Sequence, residues 1–127
     1  HKSEAHFDEI KKITGGRGVD LVIEFAAHQN LGKDLTVLRK NGRIVVIGSR
    51  GKVEVDPRNI LSSEAHIVGL SGGAGELLVE AHAAIGAGLR SGTLKPVIGT
   101  EIPLAEAARA HHEIVEKSAL GKMVLIA

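Results

Sequence analysis

Residues 19–51, VDLVIEFAAHQNLGKDLTVLRKNGRIVVIGSRG, constrain the fold more than any other stretch of this chain. Two apolar runs, 19–23 and 44–47, are short, rich in β-branched residues and set off by glycines. Between them Leu31, Leu35 and Leu38 recur at helical spacing. That is the pattern of strand, helix and strand, a βαβ unit. The second strand stops at Gly48-Ser49-Arg50-Gly51. In parallel α/β sheets, ligands sit outside the carboxyl ends of the strands. Small residues let the backbone come close to a ligand, and an arginine offers planar donors to ribose or phosphate oxygens. This loop is therefore a candidate contact for a phosphate-bearing group. The competing account is an ordinary strand-to-strand turn with a solvated arginine.

The alternation continues along the chain. Ser3 is placed to cap a helix through about Thr14, with Phe7, Ile10 and Ile13 on one face, and Gly15, Gly16 and Gly18 end it. The first strand is read at 19–24, the helix at 30–38 with Lys40-Asn41-Gly42 closing it, and the second strand at 43–48. Residues 52–56 alternate as a short edge strand would, and Pro57 starts a turn of helix. A third strand is expected at 66–70 and a flexible turn at 71–75. The next helix, 76–89, carries Leu77, Leu78, Ala81, Ile85 and Leu89 on its core face. Residues 97–102 read as a strand broken by Pro103, 104–117 as a helix and 122–126 as a last strand. Strands alternating with helices indicate an α/β fold with a mostly parallel sheet. Only three strands follow that pattern clearly, whereas a complete dinucleotide-binding sheet has six. The expected fold is a partial doubly wound, Rossmann-like parallel sheet. Because His1 opens directly into a helix-like pattern, the chain is expected to be a truncated or processed piece.

Composition removes several function classes. With 127 residues there is enough chain for one domain. A net charge of +1 gives no reason to expect a polyanionic partner. Two Phe and no Tyr or Trp argue against single-strand nucleic acid binding, which relies on aromatic stacking. The absence of cysteine excludes disulfides and cysteine-ligated zinc and fits a cytoplasmic protein. No apolar run approaches the ~20 residues that cross a bilayer.

Three other features look like chemistry. Gly69, Gly72 and Gly75 follow a strand, open a helix and imitate a dinucleotide fingerprint. Glu76 at the helix start would repel a pyrophosphate, and the strand is the third of its set, so a flexible turn is the better reading. The seven histidines show no metal-ligand spacing. His111 and His112 are neighbours about 100° apart on a helix. His28 reads as a loop residue, His66 begins a strand and His82 stands alone, so surface histidines and no metal site are expected. Asp20 and Glu24 share a strand face but lie about 13 Å apart, too far for a retaining carboxylate pair. Glu24 is expected to border the cleft and Asp20 to be a surface residue.

The segments GVDLVIEFAA, NLGKDLTVLRKNGRIVVIGSRG, LKPVIGTEIPLAEAARAHHEI and GKMVLIA resemble the C-terminal part of the medium-chain dehydrogenase/reductase superfamily. Within it they are similar to the zinc-free quinone oxidoreductases, which include zeta-crystallin. The resemblance runs over essentially the whole chain and is weakest at 71–80. It implies that 1–96 is the second half of a dinucleotide-binding domain and 97–127 a return segment to a catalytic domain. The glycine fingerprint, the readers of the 2′-phosphate and most of the catalytic domain would lie upstream. It further implies NADPH as cofactor and hydride transfer to a quinone or enone. By position, His1 falls near the adenine end, and Asn30 matches a cofactor-contacting asparagine. Ile47, Gly48, Ser49 and Arg50 match the loop on the nicotinamide-ribose side, and Leu70, Ser71 and Gly72 the backbone that pairs with the carboxamide. No catalytic residue is assigned. A homodimer through the edge strand 66–70 is expected, and the isolated chain should be poorly active. Alternatives are a zinc-free alcohol dehydrogenase or enoyl reductase of the same superfamily, a non-catalytic nucleotide-binding half-domain, or a structural role of the lens-crystallin kind.

Overall fold

A computed structural model describes residues 5–72, 75–116 and 120–127, apart from the side chain of Glu76. The chain forms two compact units, His1–Ala74 and Gly75–Ala127. In the first, helix α1 (Ala5–Ile13) leads into β1 (Val19–Glu24), α2 (Ala27–Val37), β2 (Leu38–Val46), α3 (Pro57–Ser63) and β3 (His66–Gly69). The three strands make one sheet in the order β1-β2-β3, with both pairings parallel. This is the α/β parallel arrangement expected from the sequence, with the second strand in the middle and the third at an edge.

The core explains why these segments fold this way. Leu35, Leu38 and Ile44 are buried together, and Leu31, Val22 and Val46 pack on them. The leucine stripe of α2 thus meets the β-branched residues of β1 and β2. Ile44, in the central strand, is fully buried.

Two boundaries differ from expectation for identifiable reasons. Helix α2 starts at Ala27 rather than near Asn30, so His28 is helical. Lys40-Asn41-Gly42 does not end the helix but forms an irregularity inside β2. Val19 pairs with Leu38 and Leu21 with Arg43, so four residues of β2 are looped out between two ladder positions. Asn41 takes a left-handed φ of 57° there, a conformation asparagine tolerates better than most residues. The segment 52–56 is not a strand. It lies on α2, so close that a Cβ on Gly32 would sit 2.8 Å from the Glu54 carbonyl oxygen. Asp56 then caps α3, its Oδ1 accepting from the Arg58 N–H at 2.9 Å, with Pro57 opening the helix.

The second unit holds α4 (Glu76–Arg90), β4 (Ile98–Pro103), a 3-10 turn (Leu104–Glu106), α5 (Ala107–Glu116) and β5 (Lys122–Ile126). β4 and β5 pair in parallel, with α5 as the crossover between them. Ile102 and Ala110 are buried here. The single helix read at 104–117 is divided into the 3-10 turn and α5, and Lys117 lies outside the described residues. The apolar face of α4 is not a core face: Leu77, Leu78, Ile85 and Leu89 are exposed. Ser3, the expected cap of the first helix, and Gly73 and Ala74 of the glycine-rich turn also lie outside the described residues.

Candidate functional site

The carboxyl ends of the three parallel strands line up: Glu24 is level with Val46, and Val46 with Gly69. Main-chain bonds then stitch the following loops together. The N–H groups of Ile47 and Gly48 donate to the Glu24 carbonyl at 2.8 and 3.2 Å, and the Ala27 N–H donates to the Gly48 carbonyl at 3.0 Å. The Leu70 N–H donates to the Val46 carbonyl at 2.9 Å. Gly48 is required by this approach, since a Cβ there would sit 2.4 Å from the Phe25 carbonyl oxygen. Of the residues singled out from sequence, Asn30, Ile47, Gly48, Ser49, Arg50 and Leu70 are brought to this one end of the sheet, and Ser71 and Gly72 follow directly. His1 lies outside the described residues.

Ser49 and Arg50 are exposed, as are Leu70, Ser71 and Gly72. The Ser49 hydroxyl donates to the Gly51 carbonyl at 3.0 Å and so tightens the loop. Arg50 makes no ion pair among the described residues, so its guanidinium is available to an anionic or hydroxylated ligand. Its backbone N–H donates to Nδ1 of His28 at 3.2 Å.

Glu24 and Asp34 are the groups sequence reasoning weighed wrongly or missed. Glu24 does end β1 at the cleft, yet it is only 6% exposed. Its Oε1 accepts from the Ala26 N–H and from Nδ2 of Asn30, the latter at 3.4 Å. Its partner carboxyl is Asp34, 5% exposed, with Oδ2 buried and unbonded. Burial, then the hydrogen bond and charge of Glu24, push the Asp34 carboxyl up to about 7. Two buried carboxyls this close share one proton. The Glu24 carboxyl faces the start of α2 and accepts the Ala26 N–H there. Asp34 takes the proton and donates it to Glu24. The signal was present in the sequence: Asp34 interrupts the stripe Leu31, Leu35, Leu38 at a position that must be buried. Asp20, by contrast, is the surface residue expected. It is exposed and bonded to Arg17 and Arg39, which hold its carboxyl well below the usual range.

Beside this end of the sheet, a cavity of about 600 Å³ lies along the free side of β1. Phe7 and Ile10 of α1, Leu21 and Ile23 of β1, and Glu24 and Asn30 are among its lining residues. Among the described residues, no three His, Asp or Glu side chains are placed to hold a metal ion, and no helix is long and apolar enough to cross a membrane.

The chain belongs to the zinc-binding dehydrogenase family, whose profile matches residues 1–125. It is 42% identical over 129 residues to the quinone oxidoreductase of Homo sapiens, a match that takes in 99% of this chain and 39% of that protein. The chain thus spans well under half the length of such curated relatives. Among solved structures, an NAD-dependent alcohol dehydrogenase superposes with a TM-score of 0.81 at 24% identity, over 100% of this chain and 36% of that one. A mycobacterial protein solved with NADPH superposes with a TM-score of 0.74 at 24% identity, over 100% of this chain and 42% of that one. These superpositions show a shared α/β fold.

The carboxyl pair sets a pH dependence. Folded Asp34 holds its proton up to about pH 7, whereas the unfolded chain releases it near the ordinary aspartate value of about 4. The stabilisation is therefore complete below that value and is lost as pH rises through the window to about 7. Asp34→Asn, neutral at every pH, should flatten this dependence in thermal unfolding followed by circular dichroism. It should melt above the wild type at alkaline pH; equal slopes for the two proteins would contradict the shared proton.

Proposed function

We propose that this chain is the C-terminal part of an NADPH-dependent quinone oxidoreductase that reduces a quinone or enone. What carries the reading is the convergence of Asn30, the 47–50 loop and the 70–72 segment at the carboxyl ends of three parallel strands, in a chain 42% identical to a human quinone oxidoreductase. The bound nicotinamide supplies the hydride. The residues of this chain hold and orient the nucleotide. Arg50 pairs with ribose or phosphate oxygens, and Gly48 lets the backbone come close. The half-buried Asn30, kept in place by Glu24, presents its remaining amide hydrogen and oxygen to the cofactor. The backbone at Leu70, Ser71 and Gly72 pairs with the carboxamide. Residues 97–127 lead back to a catalytic domain, and the setting is cytoplasmic. The protons that complete the reduction come from water or from a residue outside this segment.

The test is NADPH oxidation by the intact protein that carries this chain, with a quinone and then an enone as acceptor. Turnover is expected with at least one of them, and Arg50→Ala should raise the KM for NADPH about tenfold, the equivalent of one charge-assisted hydrogen bond. Absence of NADPH oxidation with either acceptor would overturn the reading.

The same reading includes a homodimer. Among the described residues β3 is paired with β2 on one side only, and Ile67 and Val68 on it are exposed. A free, apolar strand edge recruits another strand. Light scattering coupled to size exclusion should give twice the chain mass; a clean monomer would contradict it.

A further inference from the structure

We propose that His28 is a positioning residue, which fixes the Ser49–Arg50 loop for the nucleotide; this rests on the reading of that loop as a cofactor contact. The loop follows a strand end and its side chains are exposed, so packing does little to hold it. Its backbone is held to α2 at base and tip. At its base the Gly48 carbonyl accepts from the Ala27 N–H at 3.0 Å. At its tip the Arg50 N–H donates to Nδ1 of His28 at 3.2 Å. His28 is the second residue of α2 and half-buried, so its ring is carried by a helix packed on the sheet and not by the loop itself. A neutral imidazole with its proton on Nε2 accepts at Nδ1. The Gln29 side-chain nitrogen lies 3.2 Å from Nε2; with the proton on Nε2, the Gln29 amide turns over so that its oxygen accepts. Gly51 also passes close, since a Cβ on it would be 3.8 Å from the His28 Cβ.

The consequence is a division of labour. The hydrogen bond to the Arg50 N–H sets where Cα of Arg50 stands, and from there the guanidinium reaches the ligand. Without it, the same side chain would sample many directions and lose affinity through ordering cost. His28 is thus distinct from a ligand contact: it acts through Arg50.

The experiment uses the ¹⁵N-labelled intact protein that carries this chain, with NADPH as the probe up to millimolar concentration. Two quantities are read: amide exchange at Arg50, and the NADPH affinity from the shifts of Ser49 and Arg50. His28→Ala should speed Arg50 exchange and weaken NADPH about fivefold, the equivalent of one neutral hydrogen bond. His28→Asn should restore both, because its Oδ1 stands where Nδ1 stands. Unchanged Arg50 exchange in His28→Ala would overturn the proposal. So would faster exchange with unchanged affinity, or failure of His28→Asn to restore protection. If His28→Ala also speeds exchange at buried Ile44, the fold has loosened and His28→Asn decides alone. A wild-type intact protein that protects Arg50 but shows no NADPH response would sink the cofactor reading, and with it the role of His28 towards the nucleotide.

Discussion

The site depends on one close approach: the backbone of Gly48 lies against that of Glu24, Phe25 and Ala27. Three main-chain bonds cross this contact, and they exist because no Cβ stands at Gly48 in the way of the Phe25 carbonyl. The contact joins the end of β2 to the start of α2. It therefore sets where Asn30 stands relative to the 48–51 loop, and it brings His28 within reach of Arg50. The parallel register of β1, β2 and β3 supplies the third loop at the same level. A rigid scaffold with exposed loops at one end is the arrangement on which α/β proteins build their ligand sites.

Beneath that contact lies the Glu24–Asp34 pair, a costly feature of the interior. Burying a carboxyl without a full set of partners is unfavourable, and one oxygen of Asp34 has none. The cost is limited by keeping Asp34 protonated and by giving Glu24 the Ala26 N–H and the Asn30 amide as donors. In return, Asn30 is held at the cleft by its bond to Glu24. Local stability is thus traded for orientation at the site.

Much of this was legible in the sequence because two periodicities are strong there. The leucines of α2 and the β-branched runs of β1 and β2 specify a βαβ unit whichever way the ends are drawn, and strand β5 was read to the residue. The sequence was misleading where tertiary contacts override local pattern. The alternation at 52–56 looks like a strand, but the segment is taken up by contact with α2 at Gly32. Lys40-Asn41-Gly42 has the composition of a helix stop, and the same left-handed preference serves an irregularity inside β2. The apolar stripe of α4 predicts burial, yet its leucines are exposed. At the site, Gly48, Ser49 and Arg50 were visible as a loop at a strand end. His28 was not, because its role is a bond to a backbone 22 residues away. Asp34 was missed because Glu24 was weighed only against a neighbour on its own strand.

The most direct test of the site is to map where a nicotinamide nucleotide touches this chain. NADPH would be titrated into the ¹⁵N-labelled intact protein that carries this chain and the amide shifts assigned. The residues of Asn30, 47–50 and 70–72 should move together, with α5 and β5 unaffected. Shifts confined to the second unit, or no shift at the carboxyl ends of β1, β2 and β3, would contradict a nucleotide site there.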